Sequence, residues 1–165
     1  MKLQGAHVVV MGGSTGIGFA AAKLARQAGA EVTIAGRSQD KLAQAQRELG
    51  EVRTVVADIT DERAVGQVFE GLSHIDHVLI SAGTIVNGRI VDNDLTNLRR
   101  IIDERIWGLT YVVRHAIPRM TQGSITFCSL ACIFETEGSL ILYRNAMPAR
   151  ASPPLTSTHS TCGVI

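Results

Sequence analysis

Aromatic residues make up only 4% of this 165-residue chain, too few to build the stacking platforms on which single-stranded nucleic acids are held. Neither sign of charge dominates. Sixteen lysines and arginines stand against fifteen aspartates and glutamates, a formal net charge of +1. Without a polyanion-binding footprint, neither nucleic acid nor an acidic membrane is an expected partner. No apolar run approaches the roughly 20 residues of a membrane-spanning helix. The stretch Val8-Val9-Val10-Met11 is too short for the core of a secretory signal, so the cytoplasm is the expected compartment. Cysteine is scarce as well. Cys128, Cys132 and Cys162 are odd in number, which argues against a disulfide framework and fits a reducing environment. The first two are four residues apart with no second pair, so no metal site is expected.

What remains is ordinary for a globular protein: 45% hydrophobic and 19% charged residues, in a length that suits one domain. Short β-branched runs alternate with helical patterns, the βαβ signature of a parallel sheet. Strands are expected at His7 to Met11, Glu31 to Ala35, Val52 to Ala57, His77 to Ser81 and Ser124 to Cys128. Helices are expected over Gly16 to Ala28, from a Ser38 cap to Leu49, over Asp61 to Leu72 with Thr60 as cap, and over Leu95 to Met120. In the last of these Ile102, Ile106, Leu109, Val113, Ala116 and Met120 form one apolar stripe, and Gly108 allows close backbone approach. The character changes after about Leu130. Three of the four prolines and two of the three cysteines fall there, lysine and aspartate vanish, and the end is rich in serine and threonine. Residues 1–130 are therefore read as one domain. Residues 131–165 are read as a divergent, irregular tail, disordered or out of frame with its ancestor.

The sharpest local signal is Gly12-Gly13-Ser14-Thr15-Gly16-Ile17-Gly18, between the first strand and the first helix. A pyrophosphate needs a tight turn, close backbone approach and free amides at a helix N-terminus. Gly12, Gly16 and Gly18 supply these, Ser14 and Thr15 add hydroxyl donors, and Ile17 belongs to the same loop; the alternative is a plain strand-to-helix turn. The second strand ends Ala35-Gly36-Arg37-Ser38. A carboxylate placed there grips the ribose 2′-hydroxyl of NAD, and none is present. The Arg37 guanidinium, with Ser38 beside it, suits a 2′-phosphate, which favours NADP(H) unless Arg37 is a solvated turn residue.

In continuous order from Leu3 to Ser129, Gly12-x3-Gly16-x-Gly18, Gly36-Arg37, Asp58, Thr60-Asp61, Ser81-Ala82-Gly83 and Trp107-Gly108 resemble the short-chain dehydrogenase/reductase family. The resemblance implies an α/β fold with a doubly wound parallel sheet (Rossmann fold), here incomplete, with about five strands and an irregular C-terminal tail. It implies that Asp58 and its neighbour Ile59 lie at the adenine, that Ser81, Ala82 and Gly83 run along the cofactor, and that hydride passes between nicotinamide and a small carbonyl or alcohol. It also implies a tyrosine acid/base, a lysine four residues later that lowers its pKa, a substrate-orienting serine and a relay asparagine. Tyr143 and Ser129 are the candidates for the first and third roles. Met147 occupies the lysine position and Arg105 the asparagine position. Tyr143 is alternatively an aromatic of the apolar run Leu140 to Tyr143, Ser129 a serine closing a strand, and Arg105 a helix-surface charge. Counting back from Tyr143 places Leu130, one residue on, in the serine slot. Members of the family continue through a further helix, two strands and a substrate-covering loop, which are not recognisable here. Two other readings stay open: a non-catalytic NADP(H)-binding module, and a fragment that folds only within an oligomer. A homo-oligomer would form through the helix at 95–120, with an outward stripe at Leu98, Ile101 and Val112.

Overall fold

The structure, a computed structural model, describes residues 3–84, 88–89, 92–128, 130–134 and 139–144. The strands are β1 (His7–Met11), β2 (Glu31–Gly36), β3 (Arg53–Val56), β4 (His77–Ile80), β5 (Gly88–Arg89), β6 (Ser124–Phe127), β7 (Leu130–Phe134) and β8 (Ser139–Arg144). The α-helices are α1 (Gly16–Gln27), α2 (Gln39–Leu49), α3 (Glu62–Phe69), α4 (Leu95–Ile102) and α5 (Gly108–Ala116). Five strands form a parallel sheet in the order β3-β2-β1-β4-β6, as the βαβ pattern predicts. The order reverses at β1, so a crevice opens beyond the carboxyl ends of β1 and β4, where an open α/β sheet receives its ligand.

Both faces of β1 are covered, which is why it reads as an unbroken apolar run. Val9 and Met11 point to one face and pack with Val65, Val68, Phe69, Val112 and Ala116 of α3 and α5. Val8 and Val10 point to the other and join Ala22 and Ala25 of α1 and Leu42 and Ala45 of α2. No helix among the described residues is long and apolar enough to cross a membrane.

Local signals decide several helix boundaries. Ser38 caps α2 as expected, its hydroxyl accepting from the Lys41 amide at 3.3 Å. The cap of α3 is Asp61 rather than Thr60: its carboxylate accepts from the amides of Arg63 (2.9 Å) and Ala64 (3.2 Å). Thr60 is drawn back instead, donating through both its amide and its hydroxyl to Asp58 Oδ1 at 3.0 and 2.9 Å.

The helix expected over 95–120 is broken and rotated. A π-helical segment, Asp103–Trp107, separates α4 from α5, and a 3₁₀ turn, Ile117–Arg119, follows. The residues turned inward are Glu104, Gly108, Val112 and Ala116, whereas Ile102 and Ile106 of the expected stripe are each 57% exposed. Gly108 sets this rotation, because a Cβ there would lie 2.8 Å from Ile59 Cγ1 and 3.0 Å from the Ile59 carbonyl oxygen. Val112 is consequently in the core and cannot belong to an outward stripe. The large apolar residues exposed along this stretch are Leu95, Ile102, Ile106, Trp107 and Ile117. Beyond the parallel sheet, part of the stretch expected to be irregular has strand backbone: β7 and β8 pair antiparallel, and β5 adds to β8.

Candidate active site

Beyond β1 the chain turns sharply. The amides of Gly12 and Gly13 both donate to the Ala35 carbonyl, at 2.8 and 3.2 Å, tying the loop to β2. Gly12 has a φ of +86° and would, with a Cβ, press within 2.6 Å of the Ala82 amide nitrogen; both the handedness and the space demand glycine. On the β4 side the Ser81 hydroxyl donates to the carbonyls of Met11 (3.2 Å) and Gly12 (3.3 Å). Gly18 lets α1 lie directly on this turn, since its Cβ would meet the Gly12 carbonyl oxygen at 2.2 Å. Helix α1 starts with no side-chain cap bond from Thr15 and no acidic residue in its first turn. Its leading amides and the positive end of its dipole are thereby left for an anion.

These elements enclose a cleft of about 300 Å³. Gly12, Ser14, Thr15, Gly16, Arg37, Ser38, Ile59, Ser81, Ala82 and Gly83, all singled out in the sequence, line it together. Met11, Ala35, Gly36, Lys41, Ala57 and Glu104 complete the wall. Ile17, Gly18 and Asp58, also singled out in the sequence, are not among its lining residues. The glycine cradle and the uncapped helix end fit the pyrophosphate of a dinucleotide.

A chain of alternating charges runs along one side. Glu104 as a whole residue is 3% exposed, and its carboxylate accepts from Thr84 Oγ1 (2.8 Å), from the Thr84 amide and from Arg100 Nε (2.9 Å). Arg37 Nη1 lies 3.6 Å from the same carboxylate. Arg100 Nη2 in turn donates to Asp58 Oδ2 at 2.8 Å. A carboxylate as deeply buried as Glu104 survives only with such partners. Burial by itself raises the Asp58 carboxyl, but hydrogen bonds from Arg100 and Thr60 outweigh it and hold the group below its ordinary value. With Thr60 on one oxygen and Arg100 on the other, Asp58 is committed to the protein.

Arg105 is not a surface charge. Its guanidinium donates to the carbonyls of Cys128 (3.2 Å) and Ala82 (3.5 Å), bridging the ends of β4 and β6, and a Cβ on Gly83 would lie 2.5 Å from Arg105 Cζ. Ser129 lies outside the described residues. Tyr143 falls in β8, opposite Ala131, and not on a helix. His74 pairs with Asp76 at 3.7 Å, and His77 Nδ1 lies 3.0 Å from Ser124 Oγ. His115 stacks on Phe69 with ring centroids 6.4 Å apart. Among the described residues no His, Cys, Asp or Glu group could hold a metal ion.

Lys41 and Glu104 are the residues that reading the sequence missed. Lys41 follows Arg37 by four residues and sits in the first turn of α2, a spacing visible in advance. Glu104 was visible only as an i, i+4 partner of Arg100; nothing local says that it is buried.

The short chain dehydrogenase family profile matches residues 6–143. An uncharacterized oxidoreductase of Staphylococcus haemolyticus is 31% identical over 145 residues, covering 84% of this chain and 63% of that protein. A 3-dehydrosphinganine reductase of Arabidopsis thaliana is 34% identical over 119 residues, covering 69% of this chain and 36% of the relative. A short-chain type dehydrogenase/reductase from Mycobacterium ulcerans superposes with a TM-score of 0.74 at 33% identity, covering 78% of this chain and 52% of that structure. The chain thus spans less than two thirds of the length of these proteins. Taken with the parallel sheet and the glycine cleft at its switch point, the agreement makes this chain a member of the short-chain dehydrogenase family of nicotinamide-dependent oxidoreductases.

Proposed function

We propose that the protein binds NADP(H) in the glycine cleft and serves hydride transfer between the nicotinamide and a small carbonyl or alcohol. The observation that carries the cofactor choice is the presence of Arg37, Ser38 and Lys41 together in the lining of the cleft, at the end of a β2 strand that offers no carboxylate. Two cations and a hydroxyl suit a 2′-phosphate, and a guanidinium presents a planar fork to it. The amides at the start of α1, with Ser14 and Thr15, would hold the pyrophosphate; Ile59 would line the adenine side, and Ser81 to Gly83 would run along the cofactor toward the reacting end.

When bound, the cofactor supplies or accepts the hydride. The chain's own part is to orient the two reactants, exclude water and move one proton. In this reading the Tyr143 hydroxyl gives a proton to the substrate oxygen, or takes one, and Ser129 orients the substrate. Residues 1–130 form the cofactor-binding domain, residues 131–165 are the divergent tail, and the protein works in the cytoplasm. The exposed apolar residues Leu95, Ile102, Ile106 and Trp107 support self-association through the α4–α5 face.

The test is NADPH consumption against a panel of small ketones and aldehydes, with Tyr143→Phe alongside. Turnover that falls by about 10²-fold or more in the variant fits the contribution of a positioned acid/base. Tight NADPH binding with no turnover on any carbonyl would instead identify a non-catalytic cofactor-binding module.

A further inference from the structure

We propose that Glu104 is a specificity-determining residue of the cofactor cleft: its buried carboxylate offsets the charge of Arg37 and narrows the preference for a 2′-phosphorylated dinucleotide over the unphosphorylated one. This rests on Arg37 being the phosphate ligand, as proposed above.

Arg37 does not reach the cleft as an isolated cation. Its Nη1 is 3.6 Å from Glu104 Oε1. Glu104 is bound to Arg100 Nε at 2.9 Å, and Arg100 to Asp58 at 2.8 Å. Two guanidiniums and two carboxylates alternate in this cluster, so it carries no net charge. Glu104 also lines the cleft itself, which puts a negative charge on the wall where a 2′-phosphate would lie. The Glu104 side chain is 2% exposed, and a charge removed from water is felt more strongly by its neighbours than one on the surface. The Arg37 side chain is 55% exposed, so its attraction for a phosphate is weakened by solvent while the opposing carboxylate is not. Arg37 keeps donors for the phosphate, because a guanidinium has five and the contact to Glu104 is longer than a hydrogen bond. The carboxylate therefore lowers the strength of the site without blocking it. The Glu104 oxygens already accept from Thr84 and Arg100, so an uncharged ribose 2′-hydroxyl gains little from Glu104. The consequence is a chain that accepts both dinucleotides, with NADPH favoured by less than Arg37 and Lys41 alone would give.

The experiment is a set of calorimetric titrations with NADPH, NADH and adenosine 2′,5′-bisphosphate on the full chain, as wild type, Glu104→Gln, Arg37→Ala and the double variant, each checked for a cooperative melt. Glu104→Gln should tighten NADPH and the bisphosphate about tenfold and move NADH by less than twofold, and the gain should shrink when Arg37 is alanine, leaving only the direct repulsion between Glu104 and the phosphate. Glu104→Asp, which keeps the charge but draws it back by one methylene, should shift the preference the same way by a smaller factor. It serves in place of the glutamine variant should that chain not fold. Weaker NADPH binding in Glu104→Gln, equal changes for NADPH and NADH, or a gain undiminished without Arg37 would overturn the proposal. If Arg37→Ala leaves wild-type NADPH affinity untouched, the phosphate-ligand reading itself fails, which is a distinct result.

Discussion

Replacing Gly18 by alanine sets two opposed magnitudes against each other. Gly18 is the third residue of α1, and helix propensity alone predicts that alanine stabilises the chain by up to about 1 kcal/mol. The structure predicts the reverse. The new methyl would lie 2.2 Å from the Gly12 carbonyl oxygen and 2.4 Å from Ser81 Oγ. The serine hydroxyl can rotate away at the loss of its bonds to Met11 and Gly12. The Gly12 carbonyl cannot, because its peptide plane is held through the Gly13 amide, which donates to the Ala35 carbonyl at 3.2 Å, with the Gly12 amide bonded to the same carbonyl at 2.8 Å. Overpacking a well-filled site costs about 1–3 kcal/mol, and a backbone neighbour at this distance belongs at the upper end. The net expectation is a loss of about 2 kcal/mol, or a fall in Tm of about 4–8 °C for a chain of this size, together with weaker cofactor binding as the turn shifts. Thermal and urea unfolding with a parallel NADPH titration provide the assay. Gly66→Ala is the contrast. It lies in α3, and its Cβ would meet only the edge of the His115 ring, at 3.1 Å, so propensity gain and crowding should nearly cancel, within about 0.5 kcal/mol. A Gly18→Ala chain as stable as wild type, with unchanged NADPH affinity, would refute the close packing of α1 on the turn.

Asp61→Ala should cost about 1 kcal/mol, because two amides of α3 lose their acceptor, and Asp61→Asn should recover most of it; both are read from denaturant midpoints. Stability should fall on acidification. Burial is the main cause that lowers the His7 pKa below its ordinary value of 6.5, with nearby Glu31 opposing. The unfolded chain then takes up the proton first, so the contribution is complete above the unfolded value and is lost as pH drops through about 6.5 toward the folded value. His7→Gln should flatten the Tm profile between about pH 7 and pH 5. A second loss should follow at lower pH as the Asp58 carboxyl, held below its ordinary 3.8, takes up its proton, and Asp58→Asn should remove that step.

The parallel strands were legible because each satisfies a local rule. The apolar run at Val8 to Met11 is what burial on both faces requires, and Ser38 stands where a cap must stand. The glycines sit where a turn, an anion and a packed helix all call for one. What stayed hidden depends on partners far away in the chain. The rotation of α4 and α5 is set by the contact of Gly108 with Ile59, which no periodicity within the helix contains. Thr60 and Asp61 are equally good caps by composition, and the bond from Thr60 to Asp58 decides between them. Glu104 and Arg105 look alike as charges on a helix. Only the folded chain shows one buried among Thr84, Arg37 and Arg100, and the other bridging Ala82 and Cys128.

The most direct test of the account is the stabilisation of the purified chain by NADPH and by NADH, followed in wild type and Arg37→Ala. A ligand that binds only the folded chain adds about 2.7 kcal/mol at a hundred times its dissociation constant. A cooperative melt raised by both dinucleotides and more by NADPH is expected, with the difference reduced in Arg37→Ala, where Lys41 remains as the second cation of the cleft, and the NADH shift unchanged. A melt indifferent to both dinucleotides, or an NADPH advantage undiminished by the loss of Arg37, would contradict this reading.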